Sequence, residues 1–128
     1  MKALVVEKVG RVRWRDWPTP GEISPGEALI RTTCVGLCAT DLALIRGEIV
    51  RGAFPKVLGH EWSGVVEQVG HSEDETLVGM RVVGENHLTC LRCPACREGR
   101  WNACPEALEV GFELPGGYAQ HFVTRKPL

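Results

Sequence analysis

Four cysteines crowd one short stretch of this chain, and their spacing constrains the fold more than any other feature. They are Cys90, Cys93, Cys96 and Cys104. A tetrahedral zinc ion with Zn–S bonds of about 2.3 Å needs sulfur atoms about 3.8 Å apart, and a Cys-x-x-Cys turn supplies that separation without strain. The spacing therefore predicts a structural zinc lobe at about residues 86–105. Four thiolates would fill the coordination sphere, so we expect no catalytic role for this metal.

Two other interpretations of the cysteines stay open. A C-x₂-C-x₂-C run with a proline after the last cysteine, here Pro105, also occurs in iron–sulfur proteins, although three residues rather than seven precede the fourth cysteine there. Disulfide pairing is the second alternative, which a reducing cytosol disfavours. Three arginines lie in the same stretch, at Arg92, Arg97 and Arg100. They either offset the negative charge of a Cys₄ zinc centre or are solvated on a surface loop.

The composition limits the classes of protein to which this chain can belong. Its 128 residues suffice for one domain with a buried core. With 15 basic and 16 acidic residues the net charge is −1, and no run of like charge is long enough for a nucleic-acid face or a polybasic membrane anchor. The apolar start, Met1 to Val6, is too short for a signal peptide, and no 18-residue apolar run occurs. We therefore expect a cytoplasmic protein without a nucleic-acid or membrane partner.

Short strands separated by glycine and proline dominate the predicted secondary structure. Residues 3–7 are apolar and residues 11–16 alternate, which predicts a hairpin whose second strand is half-buried through Val12, Trp14 and Asp16. Further strands are predicted at 28–35, 62–69, 80–84 and 117–124, with loops at 18–26 and 48–58 and a polar turn at 70–75. One short helix, 41–46, should end at Gly47. Many short strands of this kind favour a closed or nearly closed barrel, because closure removes exposed strand edges.

A second group of candidate metal ligands lies outside the cysteine lobe. Cys38 follows the strand predicted at 28–35, and His60 and Glu61 come just before the strand predicted at 62–69. Cysteine, histidine and carboxylate are ligands of zinc, and a catalytic zinc keeps three protein ligands and one open position. By themselves these residues are only suggestive. A lone cysteine at a strand end is more often a small core residue, and His60-Glu61 alone also fits a surface pair.

Five segments carry a resemblance to a known family. They are Gly36–Leu42, Pro55–Val66, Val78–Val82, the four-cysteine lobe and Gly116–Ala119. In this order they resemble the amino-terminal catalytic domain of zinc-dependent medium-chain alcohol and polyol dehydrogenases, over nearly the whole chain. The resemblance implies a mainly β, GroES-like barrel, closed or partly open, with short helices and a zinc-binding lobe, spanning residues 1–128. It implies oxidation of an alcohol, polyol or sugar to a carbonyl compound by hydride transfer to NAD or NADP, in a protein that can be a homo-oligomer at full length.

The resemblance also assigns roles to individual residues. Cys38 and His60 would bind a catalytic zinc, with Glu61 as a direct or alternate ligand. The Thr40 hydroxyl would take the proton of the alcohol, and Asp41 would orient a ligand histidine. The alternative for Thr40 is an N-cap of the short helix. Other residues are expected to be structural or to have no role: Trp62 and Cys34 are predicted core residues, and His71, His87 and His121 are assigned none.

The chain departs from the family pattern at two points. No Gly-x-Gly-x-x-Gly run occurs, so the Rossmann domain that binds the dinucleotide is missing from these 128 residues. The family usually takes a further zinc ligand from beyond the point where this sequence stops. We therefore expect a fragment that is inactive alone, with its catalytic zinc held weakly. The alternative is a free-standing, non-catalytic GroES-like binding or assembly module stabilised by zinc. Ala39 beside Cys38 fits a polyol, sugar or secondary alcohol at least as well as a primary alcohol.

Overall fold

The computed structural model describes residues 1–125 and shows a mainly β chain, as the sequence predicted. The last three residues of the predicted domain lie outside this range. The strands are β1 (Lys2–Lys8), β2 (Arg11–Asp16), β3 (Glu27–Val35), β4 (Lys56–Val57), β5 (Trp62–Val69), β6 (Arg81–Val82), β7 (His87–Leu88), β8 (Leu108–Glu109) and β9 (His121–Arg125). The α-helices are α1 (Ala39–Arg46) and α2 (Pro94–Arg97), and 3₁₀ turns cover Ser72–Leu77 and Trp101–Ala103.

Antiparallel pairing organises the described strands into three sheets. Their orders are β2-β1-β4, β6-β5-β3-β9 and β7-β8. The segment before β9 joins the two larger sheets, because Ala119 bridges Ala3 of β1 while the Gln120 carbonyl accepts a 3.0 Å hydrogen bond from the Thr32 N–H of β3. This segment therefore links the two larger sheets through backbone contacts on both sides.

The largest hydrophobic cluster lies on the inner face of the four-stranded sheet. Ile30, Val66 and Phe122, from β3, β5 and β9, are almost fully buried there. Trp62 is 6% exposed, packs edge-on against Phe122 with ring centroids 4.8 Å apart, and donates from Nε1 to the side chain of Asn86 at 3.2 Å. An edge-to-face pair of this kind contributes about 0.5–1.5 kcal/mol beyond its buried area. The predicted core role of Trp62 is confirmed.

Helix α1 begins earlier than the sequence predicted. Its N-cap is Cys38, in an extended conformation, and its first residue is Ala39 rather than Asp41. It ends as predicted at Gly47, whose φ of 76° is the left-handed conformation that terminates many helices. The Gly47 N–H donates to the Leu44 carbonyl at 3.1 Å. Within residues 1–125, no helix has the length and apolar character needed to cross a membrane.

Cys34 is exposed, so its prediction as a core residue is wrong. The prediction relied on strand parity with Ile30, which is fully buried. The pairing of β3 with β5 shifts register between Thr32 and Cys34, which marks a β-bulge or irregularity. One extra residue on a strand reverses which face later side chains occupy. Ile30 and Cys34 therefore do not lie on the same face of the sheet, although they are four positions apart along the strand.

Other strand predictions were imprecise at their ends. Strand β2 is the edge of its sheet, so Val12 is only partly covered, and Trp14 is 63% exposed instead of half-buried. Strand β4 lies inside the predicted loop 48–58, because two residues are too few to produce an alternating pattern. Two predicted strands are shorter: 80–84 is reduced to β6, and β9 begins only at His121. The predicted polar turn at 70–75 overlaps the first 3₁₀ turn.

Candidate metal centres

The four cysteines of the lobe converge on one point. Their Sγ atoms all lie within 4.8 Å of one another, with 4.0 Å between Cys90 and Cys96 and 3.7 Å between Cys90 and Cys104. A tetrahedral zinc cage has S···S edges of about 3.8 Å, whereas a disulfide bond is about 2.05 Å long. Within the described residues all six cysteines of the chain are free. The disulfide alternative therefore disagrees with the structure, and the cage fits one ion of the size of zinc.

Backbone N–H groups support the sulfur atoms of this lobe. The N–H of Cys93 donates to Cys90 Sγ and that of Cys96 donates to Cys93 Sγ, each at 3.4 Å. The N–H groups of Arg92 and Cys93 lower the pKa of the Cys90 thiol to about 7, while burial raises the pKa of Cys96 to about 11.

Between Cys90 and Cys93, Leu91 adopts a φ of 57°, which is strained for a branched side chain. A metal that ties the two flanking cysteines together would offset this strain.

The arginines of the lobe are directed to carboxylates and solvent. Arg92 pairs with Glu106 at 2.5 Å, Arg100 pairs with Glu98, and both arginine side chains are exposed, as is Arg97. Of the two interpretations that the sequence left open, the solvated surface fits Arg97 and Arg100. Arg92 combines both, because its pairing with Glu106 raises its pKa and the charges of Cys90 and Cys104 add to this effect.

The second candidate group also assembles as the sequence predicted. One sulfur, nitrogen or oxygen atom from each of Cys38, His60 and Glu61 lies within 4.8 Å of the others. The pairing of β3 with β5 explains this, because Val35 at the end of β3 is the partner of Trp62 at the start of β5. Cys38 follows Val35 by three residues and His60 precedes Trp62 by two. The two strands therefore deliver the residues to one end of the sheet.

The Glu61 carboxylate occupies the space that a side chain at position 36 would fill. A Cβ atom built on Gly36 would lie 2.5 Å from Oε2 of Glu61, and its three nearest neighbours are all side-chain atoms of Glu61. The Gly36 N–H also donates to the Glu61 carbonyl at 2.6 Å. Glu61 itself is exposed, so its side chain is accessible to solvent as well as to the other two residues.

Asp41 faces His60 from the interior. The carboxylate is fully buried, and its Oδ2 accepts a 3.0 Å hydrogen bond from the N–H of Cys38. Its Oδ1 lies 3.6 Å from Nδ1 of His60, and both atoms are buried without a hydrogen-bond partner among the described residues. A histidine that binds a metal usually donates its other N–H to a carboxylate. These two atoms therefore fit a histidine whose Nε2 is available to a metal ion.

Thr40 is not the cap of α1. Cys38 holds that position, and Thr40 is the second helical residue. The Thr40 hydroxyl lies 3.6 Å from Cys38 Sγ, within hydrogen-bonding distance of sulfur. The capping alternative for Thr40 is wrong, and its hydroxyl is left facing the candidate ligand group.

Tyr118, the single tyrosine of the chain, joins the site although sequence analysis assigned it no role. Its hydroxyl lies 2.8 Å from the Gly36 carbonyl oxygen and 3.2 Å from Oδ2 of Asp41, and both are acceptors. Burial, together with the charge of Asp41, raises the pKa of Tyr118 well above its usual value, so the hydroxyl stays a donor. The sequence held one indication of this contact. A buried tyrosine in a strand usually forms a hydrogen bond through its hydroxyl, and Tyr118 lies in a predicted strand.

Sequence analysis also did not indicate that the ring of Phe112 packs against His60. Phe112 is 4% exposed, and its ring centroid lies 5.0 Å from that of His60. The Arg51 guanidinium lies 4.8 Å from the centroid of Phe112 and pairs with Glu109 and Glu113, at 2.6 and 2.9 Å. These contacts fix the ring on which His60 rests. They join positions about 60 residues apart, so no local sequence pattern could reveal them.

The other histidines take part in ordinary polar contacts. His71 accepts a hydrogen bond from the N–H of Glu73, and His121 pairs with Glu67 at 2.9 Å. His87 lies 3.6 Å from Glu109. Among residues 1–125, none of the three belongs to a group of candidate metal ligands.

Comparison with known proteins identifies the family. The family described as "Alcohol dehydrogenase GroES-like domain" matches residues 24–127, which is most of the chain. The chain belongs to this family. The GroES-like fold class and the resemblance stated from the sequence are therefore confirmed.

Relatives of this GroES-like domain include curated dehydrogenases and solved structures. Sorbitol dehydrogenase of Bacillus subtilis is 40% identical over 132 residues, which covers 98% of this chain. Galactitol-1-phosphate dehydrogenase from Escherichia coli is 30% identical over 98% of the chain, with a TM-score of 0.90. An alcohol dehydrogenase from Escherichia coli CFT073, solved in complex with NADH, is 31% identical over 98% of the chain, with a TM-score of 0.85. The chain spans 36% of the length of each of these relatives.

Proposed function

We propose that this domain is the metal- and substrate-binding part of a zinc-dependent, NAD(P)-linked dehydrogenase that oxidises an alcohol, polyol or sugar to a carbonyl compound. Residues 1–128 form the GroES-like domain, and the lobe at about 86–105 binds structural zinc through Cys90, Cys93, Cys96 and Cys104. The observation that carries the proposal is the meeting of Cys38, His60 and Glu61 within 4.8 Å. A stabilising scaffold would need only the cysteine lobe.

Support for a catalytic rather than structural metal at the second group comes from its ligand set. Sulfur, nitrogen and a carboxylate oxygen are three ligand types of zinc, and three protein ligands leave a position for substrate. The four-sulfur lobe has no such vacancy. Zinc bound at the second group would lower the pKa of a substrate hydroxyl by several units. The alcohol can then lose its proton near neutral pH.

The residues around the group have separate tasks in this proposal. Cys38 and His60 bind the metal, and Asp41 accepts the N–H of His60 so that its Nε2 stays directed at the ion. Glu61 would be a direct or alternate ligand of the same ion. The Thr40 hydroxyl would accept the proton of the alcohol while it releases its own proton to solvent water. A neutral hydroxyl suits this step, because it adds no further charge beside the thiolate of Cys38.

The nicotinamide cofactor and the substrate class rest on the relatives. They are named as sorbitol and galactitol-1-phosphate dehydrogenases, and one alcohol dehydrogenase was solved with NADH. A polyol or sugar alcohol is accordingly the proposed substrate, and NAD or NADP the proposed hydride acceptor. The dinucleotide would bind a separate Rossmann domain. The alternative, a non-catalytic GroES-like module, predicts that only the cysteine lobe binds metal.

Cobalt titration of the chain separates the two functions. Co²⁺ is spectroscopically visible, and a four-thiolate site differs from a site with one thiolate, one imidazole and one carboxylate. We expect two classes of site in the wild-type chain, and loss of the second class alone in Cys38→Ser and His60→Gln. Loss of alcohol oxidation in the same variants is expected when the domain is joined to a dinucleotide-binding domain. One class of site in the wild-type chain would favour the module.

A further inference from the structure

We propose that the Tyr118 hydroxyl is a positioning group for the second metal centre. It holds the Gly36 carbonyl and the Asp41 carboxylate together, so that the affinity and coordination geometry of a metal at Cys38, His60 and Glu61 depend on it. This inference rests on the proposed function, because it requires a metal to bind there.

The backbone fixes Tyr118 relative to the segment that carries His60. Its N–H donates to the Leu58 carbonyl at 3.1 Å, and its carbonyl accepts from Leu4 of β1 at 2.7 Å. Gly59 lies against it with a φ of +97°, and a Cβ atom there would be 2.8 Å from the Tyr118 nitrogen. The tyrosine is therefore seated on the two residues that precede His60. Its hydroxyl has little freedom to move away from the site.

The two acceptors of this hydroxyl are the two ends of one short segment. Gly36 begins the segment and Asp41 ends it, with Cys38 and Thr40 between them. One O–H group, 2.8 Å from the Gly36 oxygen and 3.2 Å from Asp41 Oδ2, links the two ends of the segment. The candidate thiolate ligand and the candidate proton acceptor thus lie in a segment that runs into the first turn of α1, and the two ends of this segment share a single donor.

The same contact determines which oxygen of Asp41 faces His60. Oδ2 accepts the Cys38 N–H and also shares the single hydrogen of the Tyr118 hydroxyl with the Gly36 carbonyl. Rotation of the carboxylate would break both hydrogen bonds, so Oδ1 stays directed at His60 Nδ1. Without the hydroxyl, Oδ2 keeps one donor and the buried carboxylate is free to turn. The orientation of the imidazole would then be less well defined.

Tyr118→Phe tests the hydroxyl with little change in packing. The test is Co²⁺ titration of the 128-residue chain, with the cysteine lobe as an internal reference. We expect a dissociation constant about 10 to 100 times higher at the second centre, the usual effect of losing a group that orients a ligand. The cobalt absorption of that centre should change, and that of the lobe should not. A merely structural tyrosine would lower the melting temperature and leave affinity and spectrum unchanged, which would overturn the proposal.

Thr124→Val is the matched control. The Thr124 hydroxyl is buried, at 1% exposure, and has no hydrogen-bond partner among the described residues. It belongs to β9 and to neither candidate centre. Its removal deletes one hydroxyl, as Tyr118→Phe does, and should leave the metal affinity of the second centre unchanged. An equal loss of cobalt affinity in both variants would overturn the specific role of Tyr118.

Failure of this inference is distinguishable from failure of the proposed function. Wild-type protein that binds cobalt only in the lobe would overturn both. Wild-type protein with two centres, together with a Tyr118→Phe variant of equal affinity and spectrum, would overturn the positioning role alone.

A fluorine label covers the case in which Tyr118→Phe does not fold. Because the chain has one tyrosine, biosynthetic incorporation of 3-fluorotyrosine labels only Tyr118 and retains its hydroxyl. The fluorine resonance should be unchanged while zinc fills the lobe, and should shift as the second centre fills. A fluorine resonance whose chemical shift does not change when the second equivalent of zinc is added would overturn the proposal.

Discussion

Oδ1 of Asp41 and Nδ1 of His60 lie 3.6 Å apart, buried and without another partner among the described residues. An unpaired buried polar atom costs about 1–3 kcal/mol, so two facing atoms of this kind signal an interaction that strengthens in another state. Metal binding at Nε2 provides such a state, because it fixes the remaining proton on Nδ1 and directs it to the carboxylate.

Asp41→Asn should therefore weaken the second metal centre. The amide keeps the shape of the side chain but removes the negative charge that faces the imidazole. We expect about 10- to 100-fold lower Co²⁺ affinity at that centre, measured by spectroscopic titration. The control is Asp16→Asn, at an aspartate whose side chain is 84% exposed. It should leave the Co²⁺ affinity of the second centre unchanged. Equal affinities in the two variants would contradict the orienting role of Asp41.

Gly36→Ala should act on the metal through Glu61 alone. A methyl group at this position would lie 2.5 Å from the Glu61 carboxylate, and its three nearest neighbours would all be atoms of Glu61. We expect about tenfold weaker metal binding at the second centre, with no further loss when Glu61→Gln is added. The control is Gly21→Ala, at a glycine with open space around it, which should leave metal binding at the second centre unchanged. Additive losses in the double variant would show that Glu61 is not the affected group.

Cys96→Ser should release the metal of the lobe and disorder residues 86–105. The lobe has few buried apolar residues, so ligation supplies much of its folding free energy. Metal analysis and limited proteolysis report the two effects, with the exposed Cys34→Ser as control. Retained zinc and retained protease resistance would contradict the structural assignment. A brown protein with visible absorption would instead indicate an iron–sulfur cluster.

Thr40→Ala should reduce turnover without a large loss of stability. Cys38 caps α1, so the Thr40 hydroxyl is free to act as a proton acceptor. In a longer form that carries the dinucleotide-binding domain, we expect kcat to fall by roughly 10²–10⁴-fold, and Thr40→Ser to retain much of the activity. Thermal unfolding of the same variants is the second measurement. Lost stability with unchanged kcat would mean that the hydroxyl is structural.

The sequence predicted those parts of the structure that depend on local patterns. Cysteine spacing located the lobe, and β-type runs next to glycine and proline located β3 and β5, whose pairing at Val35 and Trp62 brings Cys38 to His60. Each of these signals is contained in a few neighbouring residues.

The misses required information that no local pattern holds. The register shift in β3 that exposes Cys34 depends on how β3 pairs with β5, more than 25 residues away. The contact of Tyr118 with Asp41 spans 77 positions, and Arg51 reaches Glu113 across 62. Capping by Cys38 rather than Thr40 was missed because cysteine is not a preferred cap. These features arise only when the barrel folds around the site.

The number of metal ions bound by the chain tests the central claim most directly. With the lobe filled by zinc, titration with Co²⁺ should show one further equivalent with a thiolate charge-transfer band. It should be held more weakly than the lobe metal, because three protein ligands leave the ion open to water. Zinc content after mild chelation should correspondingly fall nearer one ion per chain than two. Absence of a second cobalt equivalent, or its persistence in His60→Gln, would contradict a catalytic metal centre at Cys38, His60 and Glu61.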